Sequence, residues 1–205
     1  MCNLYRLNRG PAEVAKWFAV TDALSGRNFA SEVFPGQPGA VVAEGRLQAM
    51  VWGFPYAGVG KSGQTLKPRP VNNARSDKLE GSFWRPSFAE RRCLIPLTAW
   101  AEAEGVPGTK RRSWLSRPDV ELFAAAGVWR QSAEWGAVYA MVMTDAAGLA
   151  AQCHQRMPVL LHQGDWSDWC AGPVAAARAL CKPWDGALAL DRTEEPWSGW
   201  GQNPR

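Results

Sequence analysis

The sequence predicts an α+β fold in a single domain, on three observations. Its 205 residues suit one domain, and 46% of them are hydrophobic against 20% charged, which is enough for a large core. Apolar runs of strand length recur along the chain, whereas the helical segments are few and short. Strands and helices do not alternate regularly as in a parallel βαβ fold, so α+β is the better class.

The elements are justified by local pattern. Residues 11–18 predict a helix, because a proline stands in the first turn and three apolar side chains fall on one face. Residues 57–70 are rich in Gly, Lys and Pro and predict a long exposed loop. Residues 192–205 predict a loosely held tail on a domain that spans residues 1–205. Strands are predicted at residues 41–43, 47–52, 113–115, 122–129, 137–143, 158–161 and 187–190, and further helices at residues 87–92, 165–170 and 173–181.

Cysteine usage and hydropathy indicate a reducing, cytoplasmic location. No apolar run approaches the roughly 18–20 residues of a membrane span, and no apolar segment near the start predicts a secretory signal. The five cysteines are odd in number and lack a C-x-x-C pair, which argues against a disulfide framework or a zinc ribbon. A metal site from Cys153, His154, His162 and Cys170 is disfavoured, because adjacent side chains on a strand point to opposite faces. We predict no metal and no other cofactor.

The charge distribution permits a nucleic-acid partner. The net charge is +4, which alone says little. Residues 61–92, however, contain eight lysines and arginines and only three acidic residues. Twelve tryptophans are a second unusual feature; most are expected in the core, and some as platforms on which unpaired bases stack.

The residue of greatest chemical interest is Cys2. Once Met1 is removed, Cys2 carries a thiol and a free α-amine, and such a 1,2-aminothiol condenses with an aldehyde to an imine that closes to a five-membered thiazolidine. An ordinary α-amine has a pKa of roughly 7.7–8.0 and a thiol about 8.5, so both are partly nucleophilic near neutral pH. A cysteine at this position also has a trivial interpretation, since some residue must follow Met1.

Three further segments carry polar residues suited to proton transfer or phosphate binding. Asn73 offers a donor and an acceptor and Arg75 a planar fork for phosphate, although an Asn-rich turn would look the same. Glu102 follows an apolar strand, where burial would raise its pKa for acid–base work, unless it lies on the surface like Glu104. His154 suits proton shuttling near neutral pH or an ordinary structural role.

Together and in this order, the motifs resemble the SOS response-associated peptidase (SRAP) family, the abasic-site DNA–protein crosslinking proteins. The motifs run from residue 2 to about residue 161 and so cover most of the chain. The resemblance implies a compact domain built around a β-barrel-like, mostly antiparallel sheet. The motifs are Met-Cys at the start, Trp-Gly at 52–53, Asn-Ala-Arg at 73–75, Arg-Cys-Leu-Ile-Pro at 92–96 with Glu102 nine residues after the cysteine, and His-x-Arg-Met-Pro at 154–158.

The resemblance implies four catalytic residues. Cys2, exposed by autoproteolytic removal of Met1, would form a thiazolidine with the ring-opened aldehyde of an abasic site in single-stranded DNA. Asn73 would steady the crosslink, and Glu102 would move protons in its formation and reversal. His154 would aid ring opening of the sugar and the accompanying lyase chemistry.

The resemblance also implies three DNA-binding residues. Arg75 and Arg156 would hold backbone phosphates, and Trp52 would border the DNA channel. The sequence departs from the usual pattern after Met-Cys, where Asn3 replaces Gly, and before Glu102, where Ala101 replaces a common Tyr.

Two other functions stay open at this stage. One is an N-terminal-nucleophile cysteine peptidase that acts on other proteins, and the other is a non-covalent single-stranded DNA-binding module that uses the basic residues of 61–92. A monomer is expected in each case, and no membrane partner.

Overall fold

The computed structural model describes residues 2–24, 26 and 29–197 of the chain. Within them the chain forms sixteen strands, five α-helices and two short 3-10 turns. The strands are β1 (Tyr5–Arg6), β2 (Thr21–Asp22), β3 (Glu32–Val33), β4 (Pro38–Ala43), β5 (Arg46–Trp52), β6 (Phe54–Tyr56), β7 (Arg69–Val71), β8 (Asn73–Arg75), β9 (Arg92–Leu97), β10 (Ala99–Glu104), β11 (Arg111–Ser116), β12 (Phe123–Ser132), β13 (Gly136–Asp145), β14 (Arg156–Pro158), β15 (Leu160–Leu161) and β16 (Ala189–Pro196). The helices are α1 (Pro11–Phe18), α2 (Arg85–Glu90), α3 (Gly148–Cys153), α4 (Trp166–Ala171) and α5 (Val174–Ala179), and the 3-10 turns are Ser76–Lys78 and Gln163–Asp165.

Five of the strands close into a barrel. In the spatial order β5, β4, β9, β12 and β13, each neighbouring pair is antiparallel. A parallel pairing of β13 with β5 completes the ring, with Tyr139 opposite Trp52. Closure satisfies the edges of an otherwise open sheet. The predicted α+β class, with a barrel-like and mostly antiparallel sheet in a compact domain, is confirmed.

Both faces of the barrel sheet are buried, which explains the near-continuous apolar runs in its strands. Alternate residues of a strand point to opposite faces, and on β12 Ala124 and Ala126 belong to one apolar cluster while Phe123 and Ala125 belong to the other. Helices α1, α2, α4 and α5 pack against the first cluster. The second cluster is shared with another sheet, ordered β16-β11-β10-β1-β3. Cys2 and Tyr5 therefore pack against the barrel.

Two stretches differ from the sequence-based predictions. Residues 57–70, predicted as an irregular loop, include the start of β7 and form the arm of a β6–β7 hairpin, with a further bridge between Val59 and Thr65. Turns at Gly60 and Gly63 satisfy backbone groups of the arm, so it is ordered although exposed. Residues 192–196, predicted as part of a loose tail, lie in β16 because they pair with β11. Residues 198–205 of that predicted tail lie outside the described residues.

Arg92, the first residue of the Arg-Cys-Leu-Ile-Pro motif, is a structural residue. It is buried and donates to the carbonyl oxygens of Phe88 at 2.6 Å, Gly172 at 2.5 Å and Trp169. These carbonyls lie in or next to the last turns of α2 and α4, where helices leave acceptors without intrahelical donors. A cation is favoured at such C-terminal ends. Arg92 thus ties both helices to β9 and does not belong to an exposed basic surface.

None of the helices among the described residues is long and apolar enough to cross a membrane.

Candidate active site around Cys2

The chain segment that follows Cys2 is fixed to the second sheet. Tyr5 pairs with Trp100 across β1 and β10, and the backbone N–H of Ala101 donates to the carbonyl oxygen of Leu4 at 2.9 Å. Cys2 itself is completely buried, and its Sγ donates to the carbonyl oxygen of Leu4 at 3.5 Å. Burial raises the pKa of the Cys2 thiol well above its usual range, and the nearby charge of Glu102 raises it further. At neutral pH the thiol is therefore protonated and needs a base before it can react.

Two asparagines form hydrogen bonds to the carbonyl oxygen of Cys2. The side-chain amide of Asn73 donates to the carbonyl oxygen of Cys2 at 2.7 Å, and that of Asn72 donates to the same oxygen at 3.1 Å. Asn72 also donates to the side-chain oxygen of Asn3 at 3.1 Å. Asn73 was predicted as a site residue; Asn72 and Asn3 were not. The signal for Asn72 was its place next to Asn73, and the signal for Asn3 was its departure from the family pattern.

The side-chain oxygen of Asn73 accepts no hydrogen bond from the described residues. Its Oδ1 is buried and has no hydrogen-bond partner, although its amide nitrogen is used on Cys2. A buried oxygen without a donor is costly, so this atom is suited to receive an N–H or O–H from a group that forms at Cys2.

Trp52 packs beneath the site, and its burial differs from the expectation that it borders a DNA channel. It is 0% exposed, so a base cannot stack on it. Its indole N–H donates at 3.0 Å to the carbonyl oxygen of Asn72, which also accepts from the N–H of Met141 at 2.9 Å. Its ring packs edge-on against Tyr5, with centroids 5.0 Å apart, and is stacked on Tyr139 at 6.4 Å. Trp52 therefore positions the turn that carries the two asparagines instead of lining a DNA channel.

Glu102 is the buried carboxyl of the site. It lies on β10 with 3% of its surface exposed, opposite Ser113 of β11. Burial raises the pKa of Glu102 to about 7 from an ordinary value of 4.5. Such a carboxyl is half ionised near neutral pH, and can both accept and return a proton there.

His154 lies directly after helix α3, which packs against β10. Nδ1 of His154 lies 2.9 Å from the backbone nitrogen of Arg156 and 3.2 Å from its carbonyl oxygen, so the backbone of Arg156 fixes the ring at Nδ1. Burial lowers the pKa of His154, and the charge of Arg156 lowers it further. The ring is therefore neutral at physiological pH and can accept or donate a proton.

The two predicted phosphate-binding arginines are brought close together by β13, and both are matched with carboxylates. Arg75, paired with β13 through β8, forms two bonds to Asp77 at 3.0 and 2.6 Å. Arg156, paired with β13 through β14, lies 3.1 Å from Asp145 and 3.9 Å from Asp77. Hydrogen bonding from Arg75 lowers the pKa of Asp77. These carboxylates compete with any phosphate for the two guanidinium groups.

The arrangement thus joins a buried thiol at the start of the chain, a carboxyl that titrates near neutral pH and a fixed pair of amides, with a neutral imidazole and two arginines close by. No group of three or more His, Cys, Asp or Glu side chains in the described part of the chain could hold a metal ion. All five cysteines are free thiols. What this geometry supplies is acid–base and nucleophilic chemistry carried by side chains.

The chain belongs to the SOS response associated peptidase (SRAP) family, whose model matches residues 1–194. Membership supports a function associated with DNA damage, and the family's name supports a hydrolase activity. No curated protein matches the chain.

Solved structures share the fold. A crystal structure of a protein from Bordetella bronchiseptica has a TM-score of 0.77 and 22% identity, and the match covers 94% of this chain and 99% of that one. A protein from Bacteroides thetaiotaomicron also has a TM-score of 0.77, with 19% identity and coverage of 93% and 91%. A phage-related protein from B. bronchiseptica has a TM-score of 0.67 and 19% identity, with 94% of each chain covered.

Proposed function

We propose that this protein attaches itself covalently to abasic sites in single-stranded DNA through Cys2, after removal of Met1. The observation that carries the proposal is that Cys2 lies within electrostatic reach of Glu102, a buried carboxyl with a pKa of about 7, while Asn72 and Asn73 hold the carbonyl oxygen of Cys2. An N-terminal aminothiol and a proton carrier that works at neutral pH are what condensation with an aldehyde requires.

The first step is hydrolysis of the peptide bond between Met1 and Cys2. One water molecule is consumed, methionine leaves, and the α-amine of Cys2 is freed. Glu102 in its ionised form takes a proton from the attacking thiol or water, and its protonated form delivers a proton to the departing amine. A carboxyl with a pKa of about 7 is present in both forms at neutral pH.

The second step joins the protein to DNA. The amine of Cys2 attacks the ring-opened aldehyde of the abasic sugar, and loss of one water gives an imine. The thiol then adds to the imine carbon, its proton passes to the nitrogen, and a thiazolidine results. Oδ1 of Asn73, buried and without a donor, is suited to accept the N–H of this ring.

His154 is assigned to the sugar. An abasic sugar is mostly a closed hemiacetal, so its ring must exchange protons before the aldehyde is available. A neutral imidazole whose Nδ1 is held by the backbone of Arg156 is suited to that exchange. Reversal of the crosslink runs these steps backwards, with the thiol released and one water consumed to hydrolyse the imine. Lyase activity needs a further step, in which a base takes a proton from the sugar carbon next to the imine carbon and the 3′ phosphate leaves.

Arg75 and Arg156 are assigned to phosphates that flank the lesion. Both arginines lie on short strands that pair with β13. Arg75 is opposite Met143, and Arg156 is opposite Asp145, two residues further along β13. Phosphate oxygens would displace Asp77 and Asp145 from these arginines, an exchange that costs little at an exposed ion pair. Binding would then depend on salt concentration.

The burial of Cys2 favours this reaction over general peptide hydrolysis. A thiol with no exposed surface is remote from an extended polypeptide, whereas an abasic sugar lacks its base and is a small reactant. The alternative of an N-terminal-nucleophile peptidase acting on other proteins has no comparable support.

The test mixes purified protein with single-stranded DNA that carries one abasic site and separates the products on a denaturing gel. Wild type is compared with Cys2→Ala, with Glu102→Gln, and with a form that carries an uncleavable N-terminal extension. Mass spectrometry of each protein reports whether Met1 has been removed. We expect a denaturant-resistant product for the processed wild type, and none for Cys2→Ala or the extended form.

Two results would contradict the proposal. A processed wild type that forms no product would exclude covalent attachment, and turnover of peptides by the same preparation would favour the peptidase. A product that persists in Cys2→Ala would place the attachment at another residue. DNA binding that survives Cys2→Ala without any covalent product in wild type would identify a non-covalent binding module.

A further inference from the structure

A groove of about 630 Å³ lies on the side of the barrel next to helix α2, away from the residues assigned so far. It is lined by residues just before, within and just after α2 and by the last part of β12, and none of its lining residues is acidic. The lining residues used below are Phe83, Arg91, Trp129 and Arg130.

Arg130 is a partly buried cation without a carboxylate in ion-pair contact among the described residues. Its guanidinium lies 4.5 Å from the ring centroid of Phe54 and 5.3 Å from that of Phe83. Its Nε is buried and has no hydrogen-bond partner, and its one hydrogen bond is a long one, from Nη2 to the carbonyl oxygen of Pro55 at 3.5 Å. No carboxylate of the described residues forms an ion pair with Arg130. A guanidinium removed from water is costly unless it is paired, and burial accordingly lowers the pKa of Arg130, which the charge of Glu134 raises in part.

Arg91 supplies a second cation to the same groove. Its Nη1 lies 2.9 Å from a carboxylate oxygen of Glu90, but the Glu90 side chain is 71% exposed. An exposed pair of this kind is worth little, so Arg91 can exchange Glu90 for another anion. The backbone N–H of Trp129 donates to the carbonyl oxygen of Arg91 at 2.9 Å, which holds the base of Arg91 against β12 beside Arg130.

The groove also has an aromatic wall that continues to the surface. Phe83 packs edge-on against Tyr56, with centroids 6.1 Å apart, and Tyr56 is 57% exposed. An arginine without an ion pair among the described residues, a second arginine whose carboxylate partner is solvent-exposed, and an exposed tyrosine against the partly buried Phe83 match the chemistry of a phosphodiester with an adjoining unpaired base.

The groove is connected to Cys2 by adjacent residues. Phe54, under the guanidinium of Arg130, lies opposite Val71 in the β6–β7 hairpin. The residue after Val71 is Asn72, which donates to the carbonyl oxygen of Cys2. Asn72, Val71, Phe54 and Arg130 thus succeed one another by chain connection, pairing or contact, which places the groove within a few residues of Cys2.

We propose that the groove between Arg91 and Arg130 binds single-stranded DNA that flanks the abasic site, with a phosphate between the two guanidinium groups and a base against Phe83. The inference rests on the proposed function, since it assigns a second contact for the same strand. It extends the DNA-binding surface beyond Arg75 and Arg156.

The experiment uses single-stranded oligonucleotides with one abasic site and with the flank on one side, then on the other, made progressively longer. Affinity is measured by fluorescence anisotropy with proteins that carry Cys2→Ala, and the rate of covalent product with proteins that retain Cys2. The variants are Arg91→Gln, Arg130→Gln and Arg130→Lys. The control is Arg117→Gln, which removes another arginine that lies over an aromatic ring, at 4.4 Å from Trp184, far from the groove in the fold.

We expect Arg130→Gln to weaken binding about tenfold, but only for oligonucleotides long enough on one side to reach the groove. Arg91→Gln should have a smaller effect with the same length dependence, and Arg117→Gln none. Each arginine removed should reduce the slope of log affinity against log salt by about 0.7. Arg130→Lys should keep the salt slope and lose part of the affinity, because a lysine has no planar fork.

Three outcomes would overturn the inference. Equal affinities of wild type and both glutamine variants at every flank length, with covalent product still formed, would exclude the groove while leaving the proposed function intact. A loss that is the same for short and long flanks would assign Arg130 a structural role. Absence of any binding or product in wild type would remove the proposed function and this inference together. If Arg130→Gln fails to fold, Arg91→Gln decides, because Arg91 lies at the rim.

Discussion

The side-chain amide of Asn73 donates to the carbonyl oxygen of Cys2 at 2.7 Å, across 71 residues of sequence. This bond ties the start of the chain to β8, and β8 is paired with β13 of the barrel. Asn72 adds a second bond to the same oxygen. Cys2 is thus held at its carbonyl oxygen, and in the proposed reaction its thiol and α-amine are not engaged by these two amides.

Replacing these amides separately should reveal their shares in the reaction. We expect Asn73→Ala to slow covalent attachment about tenfold and Asn72→Ala less, because the bond from Asn73 is shorter and more buried. The single-turnover rate of product formation measures the effect. Asn8→Ala, at an exposed asparagine beyond the other end of β1, is the matched control. Equal rates for Asn73→Ala and wild type would show that the hydrogen bond from Asn73 to Cys2 is not needed for attachment.

Glu102 makes stability depend on pH. Its pKa is raised from 4.5 in the unfolded chain to about 7 in the folded protein, so the folded state binds the proton more tightly. Stability is therefore highest below pH 4.5 as far as this group is concerned, and falls by up to about 3 kcal/mol as the pH rises through 7.

Glu102→Gln should remove this dependence. The variant is expected to be more stable than wild type at pH 8, by up to about 3 kcal/mol, and to lose that advantage near pH 5. It should also lose Met1 removal and covalent attachment at every pH. Urea unfolding at several pH values measures the first effect, with the exposed Glu80→Gln as control. A constant difference between wild type and Glu102→Gln across the pH range would contradict the raised pKa.

Trp52→Phe separates positioning from DNA stacking. Phenylalanine keeps a ring between Tyr5 and Tyr139 but loses the N–H that donates to Asn72. We expect a loss of about 2 kcal/mol in stability and a several-fold slower attachment, with unchanged affinity for intact single-stranded DNA. Weaker DNA binding with an unchanged attachment rate would instead restore Trp52 as a stacking platform. Trp17→Phe, at an exposed tryptophan, is the control.

Asp77 is bonded to Arg75 and lies 3.9 Å from Arg156, the two arginines proposed to bind phosphate. Asp77→Asn removes the charge that engages Arg75 and lies near Arg156, so affinity for single-stranded DNA at low salt should rise about threefold. Arg75→Gln should lower it and reduce the salt slope by about 0.7. Asp119→Asn, which frees Arg117 from a similar pair, provides the comparison. Binding that is unchanged in Asp77→Asn and Arg75→Gln would remove this pair from the DNA surface.

Local patterns predicted the elements whose information is local. Helix α1 has the predicted bounds, because a proline and a one-sided apolar face define it, and β12 and β13 were found from their apolar runs. Helix α3 was missed, since its short Gly-Leu-Ala-Ala-Gln-Cys sequence has no strong period. The hairpin arm of residues 57–70 was missed because its pairing rests on backbone hydrogen bonds and glycine turns, not on hydrophobic alternation.

The candidate site divides in the same way. The chemical identity of Cys2, Asn73, Glu102 and His154 and their order along the chain were sufficient to predict the family, which the match over residues 1–194 confirms. Their catalytic roles stay predictions. The parts played by Asn72 and Asn3 needed the structure, since the value of an amide depends on what lies across from it.

The sequence by itself determined the α+β class, the family and the reactive groups, because composition, periodicity and motif order are properties of the chain. Only the tertiary structure decided which of those groups are buried, paired or left without a partner. Burial gives Glu102 a pKa of about 7, hides Trp52 from solvent and leaves Nε of Arg130 without a hydrogen-bond partner. Each of these depends on which distant segments pack around a side chain, and the energies of charges and hydrogen bonds change with that surrounding.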